Sequence, residues 1–264
     1  MKAEQDVGRS VVGKVLGILD AFGPDAPELT LGELADRSRL PVSTTYRLAT
    51  QMVELGVLEH TDRVGYRIGL RLWETGSLAP RLASLRDVAV PFMQDLYEVT
   101  HDNVHLAVRQ DYEVLYVEKV AGRESVSIKS HEARRLPLHA TGVGKVLLAH
   151  APEAFQHEVL RRGLTRYTPH TIVAPGRLRA ALQQIRESGV SYSLEELTLG
   201  TVSVAAPVRD ADGDVVAALS IVGRSSRGEL QRLGPAVRTA SLGISRCNRE
   251  RGVRMAPGTA AAPG

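Results

Sequence analysis

"LTLGELADRSRLPVSTTYRLATQMVELGVLEH", residues 29–60, has the pattern of two short helices joined by a tight turn. Thr30 and Glu33 have the capping-box spacing T-x-x-E, which predicts a helix that starts after Thr30 and runs to about Arg37. Pro41 disfavours helical geometry in the residue before it and suits the first positions of a new helix. A second helix is therefore predicted over residues 42–55, ending at Gly56.

The second helix carries a narrow polar strip. At about 100° per residue, an arc of roughly 120° collects most of its polar side chains. The rest of the circle, which includes Val42, Thr45 and Tyr46, is predicted to face inward. Hydroxyls, a side-chain amide and a guanidinium suit contacts with DNA phosphates and base edges. We interpret Glu54 as solvated and predict as DNA-contacting residues Ser43, Thr44, Arg47, Thr50 and Gln51.

The flanking segments complete a known arrangement of elements. Residues 57–69 predict a β-hairpin of wing size, with Arg63 near its tip and Arg67 alongside. Upstream, one face of a first helix is predicted to contain Val12, Val15, Leu16, Leu19 and Phe22. Three helices and a hairpin predict a winged helix-turn-helix domain over residues 9–69. A small helical hairpin beside two strands in an ordinary globular domain would show the same pattern, so that alternative stays open.

Composition and charge narrow the class of protein. The 264 residues are 43% hydrophobic with a formal net charge of +3, and no apolar run approaches the ~18 residues of a membrane span. Cys247 is the single cysteine, which excludes an internal disulfide and a cysteine-based zinc site. We expect a cytoplasmic protein without a membrane partner. Residues 1–68 hold 8 Lys/Arg against 10 Asp/Glu, so overall charge is weak evidence for nucleic acid.

The remaining sequence predicts a second, larger domain. Residues 70–84 predict a linker helix. Residues 85–250 alternate helical and strand patterns, with Asp212-Gly213 as a strong hairpin signal, and predict an α+β domain with an antiparallel sheet flanked by helices. One of its strands is predicted over residues 125–130. Residues 251–264 have the composition of a disordered tail.

The segment TGVGK, residues 141–145, resembles a phosphate-binding loop but lacks two of its elements. His139 stands at the position of the first glycine, and Val146 stands where the magnesium-binding hydroxyl is required. We therefore do not expect a nucleotide-binding site. The first-turn amides of Gly142 and Val143 could hold a small carboxylate. A plain strand-to-helix turn remains the alternative.

Catalytic and metal-binding patterns are missing from the sequence. His101 and His105 are four residues apart, but a helix end and a strand start separate them, which breaks a metal-binding geometry. No serine lies in a G-x-S-x-G elbow. Serines on three successive predicted strands could line one polar pocket or face solvent. We therefore expect no catalytic residue, no metal and no cofactor.

In several motifs the chain resembles the IclR family of bacterial transcriptional regulators. These motifs are the opening stretch, YRIGLRLWETGS in the first domain, and LPLHATGVGKVLLA and EELTLGTVSVAAPVRDADGDVVAALSIVG in the second. The resemblance implies a winged helix-turn-helix, a linker helix and a GAF-like effector-binding domain. It also implies homodimers, often paired into homotetramers, that bind palindromic operators on double-stranded DNA. Their effectors are small organic acids, and members repress or activate.

The same resemblance implies the effector-binding residues. The family pocket uses amides at the helix start, here Gly142 and Val143, and four strand positions that fall here on Ser193, Ser203, Ser220 and Val222. Relatives that bind oxoacids have Asp, Cys, Ser and Ser at those four positions, of which this chain keeps Ser220. The more apolar pocket favours a larger or aromatic acid.

Two other functions stay open. One is an enzyme that uses the second domain, although the sequence offers neither a nucleophile–base pair nor a metal set for it. The other is a DNA-bound scaffold whose second domain forms oligomers without sensing a ligand. A fully packed interior near Gly142 and Ser220 would favour the scaffold.

Overall fold

The computed structural model describes residues 10–23, 26–61, 65–78, 80–122, 135–224 and 227–255. Contacts divide the chain into two compact units, with the boundary after Pro80. We refer to them as the N-terminal unit and the C-terminal unit. Within the described residues, no helix combines the length and apolarity needed to cross a membrane.

In its described residues, the N-terminal unit contains four helices and a three-stranded antiparallel sheet in the order β1-β3-β2. Its elements are α1 (Val11–Asp20), β1 (Glu28–Thr30), α2 (Leu31–Ser38), α3 (Val42–Glu54), β2 (Leu58–Thr61), β3 (Gly65–Ile68) and α4 (Leu70–Ser77). The predicted helices and hairpin are present, and β1 adds a short strand that the sequence pattern did not predict.

Local capping explains where α2 and α3 begin and end. Thr30 and Glu33 form both bonds of the capping box, with the Thr30 N–H donating to Glu33 Oε2 at 2.8 Å. The α2 helix ends at Arg39, whose φ of 56° is left-handed. The α3 helix starts directly after Pro41. Gly56 follows with φ of 70°, a backbone conformation that glycine adopts without steric cost.

The buried face of α1 differs from the prediction. Ile18 is fully buried and packs with Val15, Leu19 and others against the core of the N-terminal unit, whereas Val12 and Leu16 are 69% and 51% exposed. Helical periodicity shows which residues share a face of a helix. When apolar residues cover more than half of the helix circumference, periodicity does not show which part of that apolar surface packs on the core.

The part of the C-terminal unit that the structure describes has a six-stranded antiparallel sheet in the order β6-β5-β4-β9-β8-β7. Its elements are α5 (Pro80–Thr100), β4 (Asn103–Gln110), β5 (Glu113–Val120), β6 (Arg135–Pro137), α6 (Gly142–Ala149), α7 (Glu153–Arg161), α8 (Pro175–Ser188), β7 (Ser191–Leu194), β8 (Thr201–Arg209), β9 (Val215–Arg224) and α9 (Arg227–Glu250). The sequence pattern did not predict β6 and α7. The strand predicted over 125–130 lies outside the described residues.

The boundaries around α5 also differ from the prediction. This helix starts at Pro80, inside the segment predicted as linker over residues 70–84, and continues through Pro91. Helix α4 covers only the first part of that segment, up to Ser77.

Each face of the large sheet packs on its own set of helices. On β8, Val202 and Val204 join α5 and α9 in one apolar core. Ala205 joins α6, α7 and α8 in a second core on the opposite face. Successive side chains of a strand alternate between faces. Ser203 therefore lies on the α6 side of the sheet.

Residues 251–255 do not form the start of the expected disordered tail. Val253 is buried, and its carbonyl accepts from the Ala211 N–H at 2.9 Å. The Met255 N–H donates to Asp210 Oδ2 at 3.2 Å. These bonds tie the segment to the β8–β9 turn, an interaction between distant parts of the chain that composition does not reveal. Residues 256–264 lie outside the described residues.

Candidate functional site

Helix α3 presents the predicted polar strip on its exposed side. Ser43, Arg47 and Gln51 are exposed, and Thr44 and Thr50 are half-buried. Thr45 is fully buried, as predicted, and its hydroxyl donates to the Pro41 carbonyl at 3.2 Å.

Two side chains of α3 that were predicted to face inward lie on the surface. Tyr46 is 57% exposed and Val42 is 55% exposed. The N-terminal unit is small, and its core contacts α3 through Thr45, Leu48, Ala49 and Met52. An exposed tyrosine therefore adds an aromatic hydroxyl beside the strip, at an edge of the arc that the projection had assigned to the interior.

Of the two arginines predicted in the wing, Arg67 is described by the structure and Arg63 is not. Arg67 is exposed, and its Nε donates to Glu59 Oε2 at 3.0 Å. The other Glu59 oxygen accepts from the Leu70 N–H at 3.1 Å. The Leu70 bond and then the Arg67 bond lower the pKa of Glu59. Arg67 therefore shares its guanidinium with a carboxylate in the DNA-free protein. Arg63 lies outside the described residues.

A cavity lies between the start of α6 and the sheet of the C-terminal unit. Its empty space is about 440 Å³, including the part open to solvent. All six residues predicted to bind an effector line it, namely Gly142, Val143, Ser193, Ser203, Ser220 and Val222. None of the four strand side chains is more than 9% exposed.

Strand register explains why residues far apart in sequence meet at this cavity. Ser203 on β8 pairs with Ser193 on β7 and with Val222 on β9. Ser220 on β9 pairs with Ala205 and, on its other side, with His105 of β4. The predicted serines therefore line one buried polar pocket and do not face solvent.

The first turn of α6 sits unusually close to its neighbours. The Thr141 side chain caps the helix by accepting from the Gly144 N–H at 3.0 Å. The N–H groups of Gly142 and Val143 come earlier in the turn and have no acceptor within the helix. A Cβ on Gly142 would lie 2.7 Å from Ser203 Oγ. Glycine at this position lets the helix start approach β8.

Several residues of the cavity lining were missed by sequence reasoning. His105 and Tyr116 lie on β4 and β5, and their rings meet edge to face with centroids 4.9 Å apart. Burial raises the pKa of Tyr116. Glu196 and Thr198 enter from the bend after β7. The sequence carried no signal that these residues line the cavity, because a strand pattern does not show which distant segments become neighbours.

A buried ion pair lies beside this cavity. Lys145 of α6 bonds to Glu196, and both side chains are at most 7% exposed. The Lys145 ammonium also donates to the Tyr192 carbonyl at 2.9 Å. Burial lowers the pKa of Lys145, and the Glu196 carboxylate opposes that shift. Sequence reasoning had considered Lys145 only within the rejected phosphate loop.

Three buried oxygen atoms of the lining have no hydrogen-bond partner among the described residues. They are Ser220 Oγ, Glu196 Oε2 and Thr198 Oγ1. Buried polar atoms in folded proteins are almost always satisfied by protein, water or ligand. The lining therefore offers free N–H donors and free oxygen acceptors to an occupant.

No group of three His, Cys, Asp or Glu side chains able to hold a metal occurs in the described part of the chain. His101 follows the end of α5 in a left-handed conformation, whereas His105 is buried on β4. The two histidines are thus on different elements, as the sequence analysis expected.

Two family models match the chain. Residues 11–62 match the IclR helix-turn-helix domain, and residues 81–246 match the model of the bacterial transcriptional regulator IclR C-terminal domain. The HTH-type transcriptional regulator XynR of Escherichia coli strain K12 is 33% identical over 240 residues, covering 89% of this chain and 95% of XynR. The transcriptional repressor IclR of the same organism is 32% identical over 216 residues, or 80% of this chain and 79% of that repressor.

One solved structure is similar over most of the chain. An IclR homolog of Microbacterium hydrocarbonoxydans, crystallised in complex with 4-hydroxybenzoate, is 32% identical with a TM-score of 0.86, covering 91% of this chain and 100% of the homolog. The relatives are named as transcriptional regulators, which confirms the expectation that the chain is not an enzyme. The winged helix-turn-helix and the helix-flanked antiparallel sheet are likewise confirmed. The chain belongs to the IclR family of bacterial transcriptional regulators.

Proposed function

We propose that this regulator binds a specific operator and that a small organic acid in the α6 cavity changes its operator binding. The cavity supports the effector part of the proposal, because buried oxygens without protein partners and first-turn amides of α6 meet there. A helix start attracts anions through its unpaired N–H groups and the positive end of its dipole.

For the DNA side, we propose that α3 enters the major groove. Its contacts would come from Ser43, Thr44, Arg47, Thr50 and Gln51, with Arg63 and Arg67 of the wing near the phosphates. The Thr50 hydroxyl donates its hydrogen to the Tyr46 carbonyl at 2.9 Å. With that bond in place, the Thr50 oxygen can only accept a hydrogen bond from DNA. Exposed Tyr46 is a further candidate contact of the same strip.

The lining of the cavity supports an organic acid as effector. First-turn N–H groups of α6 and buried oxygens without partners among the described residues border the same space. A related structure holds 4-hydroxybenzoate, an aromatic acid. Val222 in place of a hydroxyl makes one wall apolar, which suits an aromatic ring. The buried oxygens without partners among the described residues favour an occupant of the cavity over the scaffold alternative.

We also propose that the protein acts as a homodimer or homotetramer on a palindromic operator, and as a repressor, like the relative named a transcriptional repressor. Exposed apolar side chains support self-association. On α1, Val11 and Val12 are 61% and 69% exposed, and on α4 Trp73 is 70% exposed. Such side chains gain free energy when a second copy covers them.

Isothermal titration calorimetry with a panel of aliphatic and aromatic carboxylic acids tests the effector proposal. We expect saturable binding of at least one acid. Ser220→Leu, which fills part of the cavity, should abolish that heat, whereas Leu242→Ser, on an exposed position of α9 outside the cavity lining, should not. Equal binding by Ser220→Leu would place the acid elsewhere.

A further inference from the structure

Glu196 gives the cavity a property that the family resemblance did not supply. Its side chain is 7% exposed and lines the cavity. One carboxylate oxygen bonds to the Lys145 ammonium, while Oε2 is buried without a partner among the described residues. A carboxylate oxygen in this state accepts hydrogen bonds and donates none.

Ser220 and Thr198 add to this preference. Their hydroxyl oxygens line the same cavity and also lack partners among the described residues. A hydroxyl can donate or accept, so neither excludes a ligand by itself. Glu196 does discriminate between ligands. A ligand group that can only accept a hydrogen bond would place its lone pairs next to those of Glu196 Oε2, and the two would repel.

The Lys145 ion pair explains how an anionic acceptor persists in a buried wall. Burying an isolated charge is unfavourable, whereas a charge that is paired and hydrogen-bonded is tolerated in the interior. Lys145 is itself held by the Tyr192 carbonyl at 2.9 Å. The ammonium therefore fixes one Glu196 oxygen and leaves the other for an occupant.

We infer that the effector is a hydroxy acid: a carboxylate for the α6 amides that also carries a hydroxyl, whose proton is donated to Glu196. This inference rests on the proposed function and specifies its ligand class. Glu196 is the residue that distinguishes a hydroxylated acid from the same acid with the hydroxyl removed or methylated.

Calorimetry on matched acids tests the inference with the wild-type chain. The probes are 2-, 3- and 4-hydroxybenzoate, their methoxy analogues and benzoate, together with lactate and propionate. We expect at least one hydroxy acid to bind at least about tenfold more tightly than its partner without a free hydroxyl, since hydrogen bonds to charged groups exceed this threshold.

A variant then assigns the discrimination to Glu196. In Glu196→Gln the amide oxygen keeps the bond to Lys145 and the NH₂ group faces the cavity, so the preference for hydroxy over methoxy acid should shrink towards one. Glu195→Gln is the matched control, because Glu195 pairs with His170 at 3.7 Å and is not part of the cavity lining. If Glu196→Gln does not fold, the double variant Lys145→Met with Glu196→Met removes both charges and should show the same loss.

The outcomes separate this inference from the proposed function. If acids bind but the methoxy or unsubstituted partner binds as well as the hydroxy acid, the hydroxy-acid inference is wrong and the effector proposal stands. If the preference survives both Glu196 variants, Glu196 is not its source. If no acid in the panel binds the folded protein, both proposals fail.

Discussion

Replacing Gly144 with alanine should destabilise the C-terminal unit, because the start of α6 leaves no room for a side chain. A Cβ there would lie 2.4 Å from the Leu138 carbonyl oxygen, 2.5 Å from Thr141 Oγ1 and 2.7 Å from Leu138 Cα. Two of these atoms are backbone and the third belongs to the helix cap. The Leu138 carbonyl would have to retreat by more than half an ångström to restore normal contact.

The magnitude follows from two effects. Overpacking a dense interior costs ~1–3 kcal/mol, and losing the Thr141 cap costs ~1 kcal/mol. Gly144→Ala should therefore lower the free energy of unfolding by about 2–4 kcal/mol. Gly176→Ala on α8 is the matched control, since no atom lies within 4 Å of its Cβ position. It should gain ~0.4–1 kcal/mol through a less flexible unfolded chain.

Urea unfolding followed by far-UV circular dichroism measures both changes. The single tryptophan, Trp73, lies in the N-terminal unit, so its fluorescence would report the wrong unit. Hydrogen exchange should show faster opening of α6 in Gly144→Ala. Wild-type stability in Gly144→Ala, or equal destabilisation by Gly176→Ala, would refute the close-approach argument.

Three further changes test other parts of the molecule. Arg47→Ala should weaken operator binding by ~1–3 kcal/mol if Arg47 contacts a base, whereas Arg177→Ala, which removes an exposed arginine of α8, should not; equal loss in both would indicate a general charge effect. Glu59→Gln should release Arg67 and strengthen DNA binding at low salt, and unchanged affinity would exclude Arg67 as a phosphate contact. Burial lowers the pKa of His139 below its ordinary 6.5. Between the lowered pKa and 6.5 the unfolded chain binds more protons than the folded chain, so the free energy of unfolding falls as the pH drops through 6.5. His139→Gln should reduce this loss in the thermal midpoint, and an identical pH profile would contradict the assignment.

The elements of the helix-turn-helix were predictable because their signals are local. The Thr30–Glu33 capping box, Pro41 and Gly56 each act on residues within one turn of themselves. The exposure of Tyr46 was not predictable in this way. It depends on how far the core of a small unit extends around α3, which is a property of three-dimensional packing.

For the cavity too, some residues could be predicted from local sequence motifs and others depend on three-dimensional packing. Gly142 and the strand serines could be named from motifs, and the structure brings them together around one cavity. Glu196 lies in a charged bend that looks solvated in sequence, and its burial depends on Lys145, 51 residues earlier. His105 and Tyr116 join the lining through the pairing of strands, which periodicity within one strand does not encode.

Coupling between the cavity and the DNA-binding unit is the central claim, and fluorescence anisotropy measures it directly. Labelled promoter DNA around the gene is titrated with the folded protein, with and without a saturating hydroxy acid identified by calorimetry. We predict specific binding whose affinity changes about fivefold or more when the acid is present, the usual range of allosteric coupling. Specific binding with the same affinity in both titrations, under conditions where calorimetry shows the acid bound, would contradict the account.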